Sequence, residues 1–539
     1  MVKYTLHFLI LIMPLFAGAQ ETTRPKLVVG IVVDQMRWDY LQRFSARYAA
    51  DGGFKRMMNN GYNCQNTQIP YVPTLTACGH AGIYTGSVPS IHGITGNDWY
   101  DNELQDYVYC TSDKNVEPIG TLSPAGRMSP RNMLTSTICD ELKLATNFKS
   151  KTVGIALKDR GAILTVGHNA DAAWWFDAAA GNWITSSHYM KAMPPWVVAF
   201  NNQKLVDKFY RQNWNTLYPI ATYEQSAPAN YNSAGEATRR SFPYALSTYA
   251  GVNYSQITAT PYGNTLTTEF AKANIENEKL GEDTITDFLA VSYSSPDLIG
   301  HAYGPNSIEI EDCFLRLDAE LGGFLDYLDK KIGKGQYLVF LSADHGVAHA
   351  PGFLKENKMP AGNLNMKEVV SAMNTSLQKE FKEDNIVLNI FNNQVVLNGK
   401  LFDSYTRQNR TRIKEWVLKY LNKQDFVQHA FALDDLKNAT INETQKKMIS
   451  NSYYPKRSGH ISLIINPQWI IGYNEGGSTH GAWNPYDARI PLLWYGWKIK
   501  PGVTSREIYM TDIAPTLAAL LRIQVPNGSV GKVITEITR

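Results

Sequence analysis

Three aspartates stand directly after short apolar runs. Asp34 follows Val32-Val33, Asp297 follows Val291-Ser292-Tyr293-Ser294-Ser295-Pro296, and Asp344 follows Phe340-Leu341-Ser342-Ala343. A single aspartate in such a place usually turns the chain or caps a helix. Three of them, two with histidine partners, point to a site, because ligands of open α/β sheets bind beyond the carboxyl ends of the strands. Asp297 and His301 are four residues apart, so a helical turn from Leu298 puts both on one face, where they can share a cation. His345 follows Asp344 directly, and Gly346 then allows a sharp turn. His480 lies in the small-residue loop Gly476-Gly477-Ser478-Thr479-His480-Gly481. Carboxylate oxygen and imidazole nitrogen are ordinary zinc ligands, and a zinc with three protein ligands keeps a position for water or substrate. Asp34, Asp297, His301, Asp344, His345 and His480 therefore suffice for two ions of three protein ligands each. By residue type alone His80, His92, His168, His188, His349, His429 and His460 are candidates too.

The second chemical feature is Val72-Pro73-Thr74-Leu75-Thr76-Ala77-Cys78-Gly79-His80. A threonine hydroxyl is a weak nucleophile unless a metal or base activates it, and in isolation it is more simply an ST-turn or helix cap. The third is Leu157-Lys158-Asp159-Arg160-Gly161. An arbitrary Lys-x-Arg is usually a solvated surface pair; beside an anion, Lys158 would act as a point charge and Arg160 as a planar fork.

The elements that must position these residues are short. Leu27–Val33 and residues 288–293, 337–342 and 490–494 read as buried strands, each bounded by polar, glycine or proline residues. Helical patterns lie between them, as over 308–328. The expected fold is α/β, a mostly parallel central sheet with helices on both faces. Thr511-Asp512-Ile513-Ala514-Pro515-Thr516, continuing to Leu521, reads as a capped C-terminal helix with Pro515 in its early turn. Residues of about 183–268, rich in Tyr, Asn, Pro and Trp, and of about 352–468, rich in Lys and Asn, read as insertions. The second has its own strand-like run at 386–397.

The 539 residues carry 44% hydrophobic and 19% charged side chains, an ordinary globular composition. A net charge of +3 gives no reason to expect nucleic-acid binding. Lys3, the apolar residues 6–16 and Ala17-Gly18-Ala19 have the pattern of a secretory signal, residues 1–19, cleaved before Gln20; the mature chain, 20–539, would be one catalytic domain with the two insertions. No later segment reads as a membrane span. Cys64, Cys78, Cys110, Cys139 and Cys313 form no CxxC pair, and their odd number leaves at least one thiol unpaired in a monomer.

Taken in order, Asp34, Thr76 with its Gly-His pair, Asp297-x3-His301, Asp344-His345-Gly346 and His480-Gly481 resemble the alkaline phosphatase superfamily from Leu27 to the C-terminal helix. Three further segments resemble the bacterial phosphate-irrepressible alkaline phosphatases within it: Gly93-Ile94-Thr95-Gly96-Asn97, Leu157-Lys158-Asp159-Arg160-Gly161, and Ser478-Thr479-His480-Gly481-Ala482-Trp483 running into Pro485-Tyr486-Asp487. The resemblance implies two zinc ions per chain. Asp297, His301 and His480 would hold one; Asp34, Asp344 and His345 the other, completed by Thr76. Thr76 would be the nucleophile, and Asn97, Lys158 and Arg160 would contact the phosphoryl oxygens. The expected substrates are small phosphate monoesters, with a phosphothreonine intermediate. A nucleotide phosphodiesterase shares Thr and all six ligands and is the rival within the fold. A sulfatase would need a Cys or Ser in a C/S-x-P-x-R setting, which no Cys here begins, and a cofactor-independent mutase a Ser nucleophile. An inactive metal-stabilised binding protein is the rival from another class.

Overall fold

The computed structural model describes residues 24–227, 242–472 and 475–538. The signal segment 1–19 and part of the first expected insertion, 228–241, lie outside the described residues.

The core is a ten-stranded sheet. Its centre is Leu27–Val33, buried along its whole length and paired in parallel with Asp287–Tyr293 on one side and Tyr337–Ser342 on the other. Such strands read as near-continuous apolar runs because helices cover both faces. Thr152–Ala156 and then Ala172–Asp177 continue the parallel pairing outward. Toward the edges the pairing turns antiparallel, at Asn182–Ser186 and Pro118–Ile119 at one end and at Leu492–Gly496 and Tyr62–Cys64 at the other, where a last strand, Gly502–Thr504, joins Tyr62–Cys64 in parallel. One layer of helices is Gly53–Asn60, Tyr262–Glu278 and Ile308–Leu328; the other is Thr76–Thr85, Ile138–Ala145, Asp159–Val166 and Ile513–Leu521. The α/β reading therefore holds.

Three local readings change. The run expected at 490–494 is two strands. Arg489–Ile490 pairs with Thr67–Gln68 in a small separate sheet, and Leu492–Gly496 joins the core. Pro491, which has no amide hydrogen to donate to a ladder, separates them. The run at 386–397 is a hairpin, Val387–Phe391 and Gln394–Leu397, turned by Asn392 and Asn393 at φ 53° and 58°; two left-handed residues between antiparallel strands make the favoured tight turn. The stretch expected as an insertion from about 183 starts inside the edge strand Asn182–Ser186.

The hairpin belongs to a second, antiparallel sheet with Ile461–Ile465 and Val427–Ala432. Met373, Leu377, Val395, Val417 and Leu421 are among the side chains of its own apolar core. All five cysteines are buried free thiols, and burial pushes the thiols of Cys78, Cys110, Cys139 and Cys313 well up, as it does Cys64 to about 12.

Candidate active site

Strand register builds the floor of the site. Val32 pairs with Ser292 and with Ser342, and Ser292 pairs with Ala156. Carried two residues past the strand ends, that register sets Lys158, Ser294, Asp34 and Asp344 at one level. The backbone agrees: the Lys158 amide donates to Ser294 Oγ at 3.3 Å, and the Gln35 amide to Asp344 Oδ1 at 3.1 Å. Asp297 and His301 then project from one helix, Ser295–Tyr303, with His301 Nε2 3.2 Å from Asp297 Oδ1. His480 arrives from its loop, Nε2 3.6 Å from the same oxygen.

The three histidines are oriented alike. Nδ1 of His301 faces the carbonyl of Ser478 at 2.7 Å, Nδ1 of His345 that of Gly346 at 2.9 Å, and Nδ1 of His480 that of Thr74 at 2.7 Å. A carbonyl can only accept, so each Nδ1 carries a proton and each ring turns its Nε2 toward the carboxylates. That is how imidazole ligands are preset for a metal. Burial would lower His301, but without a metal Asp297 outweighs it and raises the ring toward its protonated form. Burial holds the His345 ring down at about 4; burial together with His345 and His301 holds His480 well below its usual value.

Two sets of ligand atoms lie within 4.8 Å of one another: Asp34, Asp344 and His345, and Asp297, His345 and His480. His345 is common to both, its ring stacked on His480 at 3.5 Å. The expected set of Asp297, His301 and His480 also converges: Nε2 of His301 and of His480 face the same Asp297 oxygen, and the two rings lie 5.1 Å apart.

The charge balance fits cations. Asp34, Asp297 and Asp344 are buried together, yet Lys158 is the only Lys or Arg in salt-bridge reach of them among the described residues, 2.7 Å from Asp34 and 2.5 Å from Asp297. Asp34 Oδ1 and Asp344 Oδ2 have no hydrogen-bond partner. Burial and then the Asp34 charge push the Asp344 carboxyl well up. At Asp297 burial acts upward too, but His301 and Lys158 outweigh it and hold that carboxyl well down. Lys158 is raised, since Asp297 and Asp34 outweigh the burial that would lower it. Three buried carboxyl groups, two with orphaned oxygens, and three imidazole Nε2 atoms around one lysine are a donor set suited to divalent metal.

Thr76 is the first residue of the helix Thr76–Thr85, its Oγ1 3.4 Å from Nε2 of His345. The helix N-terminus favours negative charge there. Gly79 lets this helix reach the strand end, because a Cβ on it would lie 2.4 Å from the Asp344 carbonyl oxygen. The Ala77 amide donates to Asn97 Oδ1 at 3.0 Å, which fixes the Asn97 side chain beside Thr76 with its NH2 group as the remaining donor. Arg160 donates to the Tyr109 hydroxyl at 3.1 Å, and Tyr109 donates to Asp159 at 2.6 Å.

Of the other histidines, His80 adjoins the site: Nδ1 lies 2.8 Å from the Thr76 carbonyl and Nε2 2.8 Å from Ser292 Oγ. His92 caps its own turn and His349 bonds Asn306. Sequence reasoning missed Gln35 and Tyr109, and quoted Asp487 in its turn without giving it a role. Gln35 sits at φ 65°, a strained place for a residue with a Cβ, and donates to Asp297 at 2.7 Å. The Asp487 carboxylate accepts the Ala482 amide and its carbonyl accepts the Gly346 amide, tying the His480 loop to the turn after His345. Adjacency to Asp34 was a signal for Gln35; Tyr109, 50 residues from Asp159, carried none.

Residues 28–487 match the type I phosphodiesterase / nucleotide pyrophosphatase family. The chain belongs to that family, within the alkaline phosphatase superfamily. It is 51% identical to alkaline phosphatase PhoV of Synechococcus elongatus, over 96% of this chain and 94% of that one. It is 48% identical to alkaline phosphatase PafA of Elizabethkingia meningoseptica, over 96% of each, and the crystal structure of PafA superposes with a TM-score of 0.91 over 96% of this chain and 99% of that one. A Myroides odoratus relative, 48% identical over 96% of each chain, bears the name calcium-transporting ATPase. Among the described residues of the present chain no helix is long and apolar enough to cross a membrane. The reading of an alkaline phosphatase-type enzyme stands.

Proposed function

We propose that the protein is a secreted, zinc-dependent phosphate monoester hydrolase that releases inorganic phosphate through a phosphothreonine on Thr76. The observation that carries this reading is Thr76 Oγ1 at 3.4 Å from Nε2 of His345, the imidazole common to both ligand sets. Asp34, Asp344 and His345 would hold one zinc and Asp297, His301 and His480 the other. Bound zinc supplies Lewis acidity toward the attacking and the leaving oxygen. Thr76 Oγ attacks phosphorus as the ester P–O bond breaks and the alcohol departs; water then attacks the phosphothreonine, returning Thr76 and freeing phosphate. Asn97, Lys158 and Arg160 donate to the equatorial oxygens, over which the negative charge of the transferring group is spread. The monoester preference follows from Lys158 and Arg160. A monoester carries close to two charges on three free oxygens, whereas a diester has one charge and a bulky group in place of an oxygen. Export rests on the signal pattern of residues 1–19.

The test has three parts. Metal analysis should give two zinc ions per active chain. Acid quenching during turnover of an aryl phosphate should trap phosphate on Thr76. Mono- and diesters of one aryl alcohol should be cleaved with the monoester much faster. The family's description favours one second reading, a nucleotide phosphodiesterase, and a diester preference would establish it instead.

A further inference from the structure

The turn of the second sheet's hairpin touches both loops that deliver side chains to the site. Asn393 Nδ2 donates to the carbonyl of Gly481, the residue after His480, at 2.8 Å. Asn392 Nδ2 donates to the carbonyl of Asp98, the residue after Asn97, also at 2.8 Å. Gly96, before Asn97, is close enough that a Cβ there would lie 2.3 Å from the same Asn392 nitrogen, so glycine is needed for that approach. Adjacent residues of one turn thus hold loops almost four hundred residues apart in sequence.

The His480 loop is held on its other side by Thr74, which bonds His480 Nδ1 at 2.7 Å and the Gly481 amide at 3.2 Å, and by Asp487, which accepts the Ala482 amide at 2.8 Å; Asn393 is its contact with the second sheet. Residues 479–483 form one wall of a cavity of about 260 Å³ and residues 390–394 another. The Asn97 loop is held at its start by the same region: Arg457 donates to the Gly93 carbonyl at 2.7 Å, and its own carbonyl accepts from Thr95 Oγ1 at 2.9 Å.

We infer that the Asn392-Asn393 turn is a clasp by which the second sheet sets the position of Asn97 relative to His480, making both asparagines positioning residues of the site. The inference rests on the phosphatase reading for the roles of Asn97 and His480, though not for the clasp itself. The sequence permits a clean separation of roles. Both residues have left-handed backbones, which glycine adopts freely, so Asn392→Gly and Asn393→Gly preserve the turn while deleting only the side-chain amide.

The experiment is hydrogen–deuterium exchange read by mass spectrometry on the zinc-loaded full chain, with zinc release to a chelator and binding of inorganic phosphate measured alongside. Asn393→Gly should speed exchange in residues 479–483 and zinc release while leaving residues 93–98 unchanged. Asn392→Gly should do the converse, loosening 93–98 and weakening phosphate binding. One lost hydrogen bond corresponds to about two- to tenfold in each case. Unchanged exchange in both loops, or exchange rising across the whole central sheet, would overturn the clasp. If the loops loosen as described while the wild type takes up neither zinc nor phosphate, the clasp stands and the phosphatase reading falls.

Discussion

The two ligand groups of the site are built differently. Asp34 and Asp344, with His345 next to it, come directly off neighbouring parallel strands, and their side chains are fully buried. Asp297 and His301 come from a helix and His480 from a loop; His301 keeps 17% of its side-chain surface exposed and His480 5%. The first group inherits its geometry from sheet register and cannot move without the sheet. The second depends on hydrogen bonds to loops. Thr76 lies beside the first; on the proposed mechanism the rigid half would serve the attacking oxygen and the open half the departing alcohol and the water that replaces it.

Thr76→Ala is the most severe way to break this division. It should lower monoester turnover by about three orders of magnitude or more, leaving zinc content and melting temperature near wild type, because the helix it starts is fixed by other contacts. Thr76→Ser should keep substantial activity, since the hydroxyl survives. Near-full rate in Thr76→Ala would move the nucleophile to Thr74 or to water and remove the reason for the rigid half.

Lys158 and Arg160 sharpen the comparison from the substrate's side. Charge-assisted hydrogen bonds contribute roughly 1.5–3 kcal/mol each, so Lys158→Ala or Arg160→Ala should cost about one to two orders of magnitude in monoester kcat/KM and much less for diesters. Equal losses on both substrates would show that these residues are not the source of monoester preference. Lys158 also bridges Asp34 and Asp297, one from each half, so its removal leaves more negative charge at the ligand oxygens and should tighten zinc retention, whereas that of Arg160 should leave it unchanged.

Metal removal tests the division directly. If each half holds a zinc as proposed, chelator should withdraw the two in separate phases, the exposed half first and at least about tenfold faster, because shielding from solvent controls access to a metal. His301→Ala should abolish the fast phase and spare the slow one. A single phase in the wild type would mean that the halves open together.

How much of this was legible in the sequence follows the same line. Ligands on strand ends announced themselves because the strands are unbroken apolar runs; Asp34 and Asp344 needed only that pattern, and Asp297-x3-His301 only a helical period. The two-strand break at Pro491 was legible in principle, since proline cannot join a ladder, but its neighbours are equally apolar on both sides. The hairpin at 386–397 hid because Asn392-Asn393 lacks a glycine. The pairing of Asn97 with Ala77, of Tyr109 with Arg160 and of Asn393 with Gly481 could not be read at all. Each joins segments that only the folded chain brings together, through hydrogen bonds that leave no periodicity.

Tyr109 gives the smallest effect and the most selective one. Its hydroxyl accepts from Arg160 Nη1 at 3.1 Å and donates to Asp159 at 2.6 Å, and Thr111 donates to the other Asp159 oxygen at 3.1 Å. The phenol therefore joins the guanidinium to a carboxylate that is itself held in place, and so sets where the fork of Arg160 points. The Arg160 Nε is buried without a partner, so few other contacts fix the group before substrate arrives. Tyr109→Phe removes the hydroxyl and keeps the ring. A neutral hydrogen bond contributes about 0.5–1.5 kcal/mol net, which predicts a loss of roughly two- to tenfold in monoester kcat/KM with little change for diesters, where Arg160 matters less. The decisive measurement is a double-mutant cycle: in an Arg160→Ala background Tyr109→Phe should cost nothing further, since residues acting through one contact are not additive. If the two losses multiply instead, Tyr109 acts on the site by some route other than Arg160, and the orientation of the guanidinium must be set by the helix that carries it.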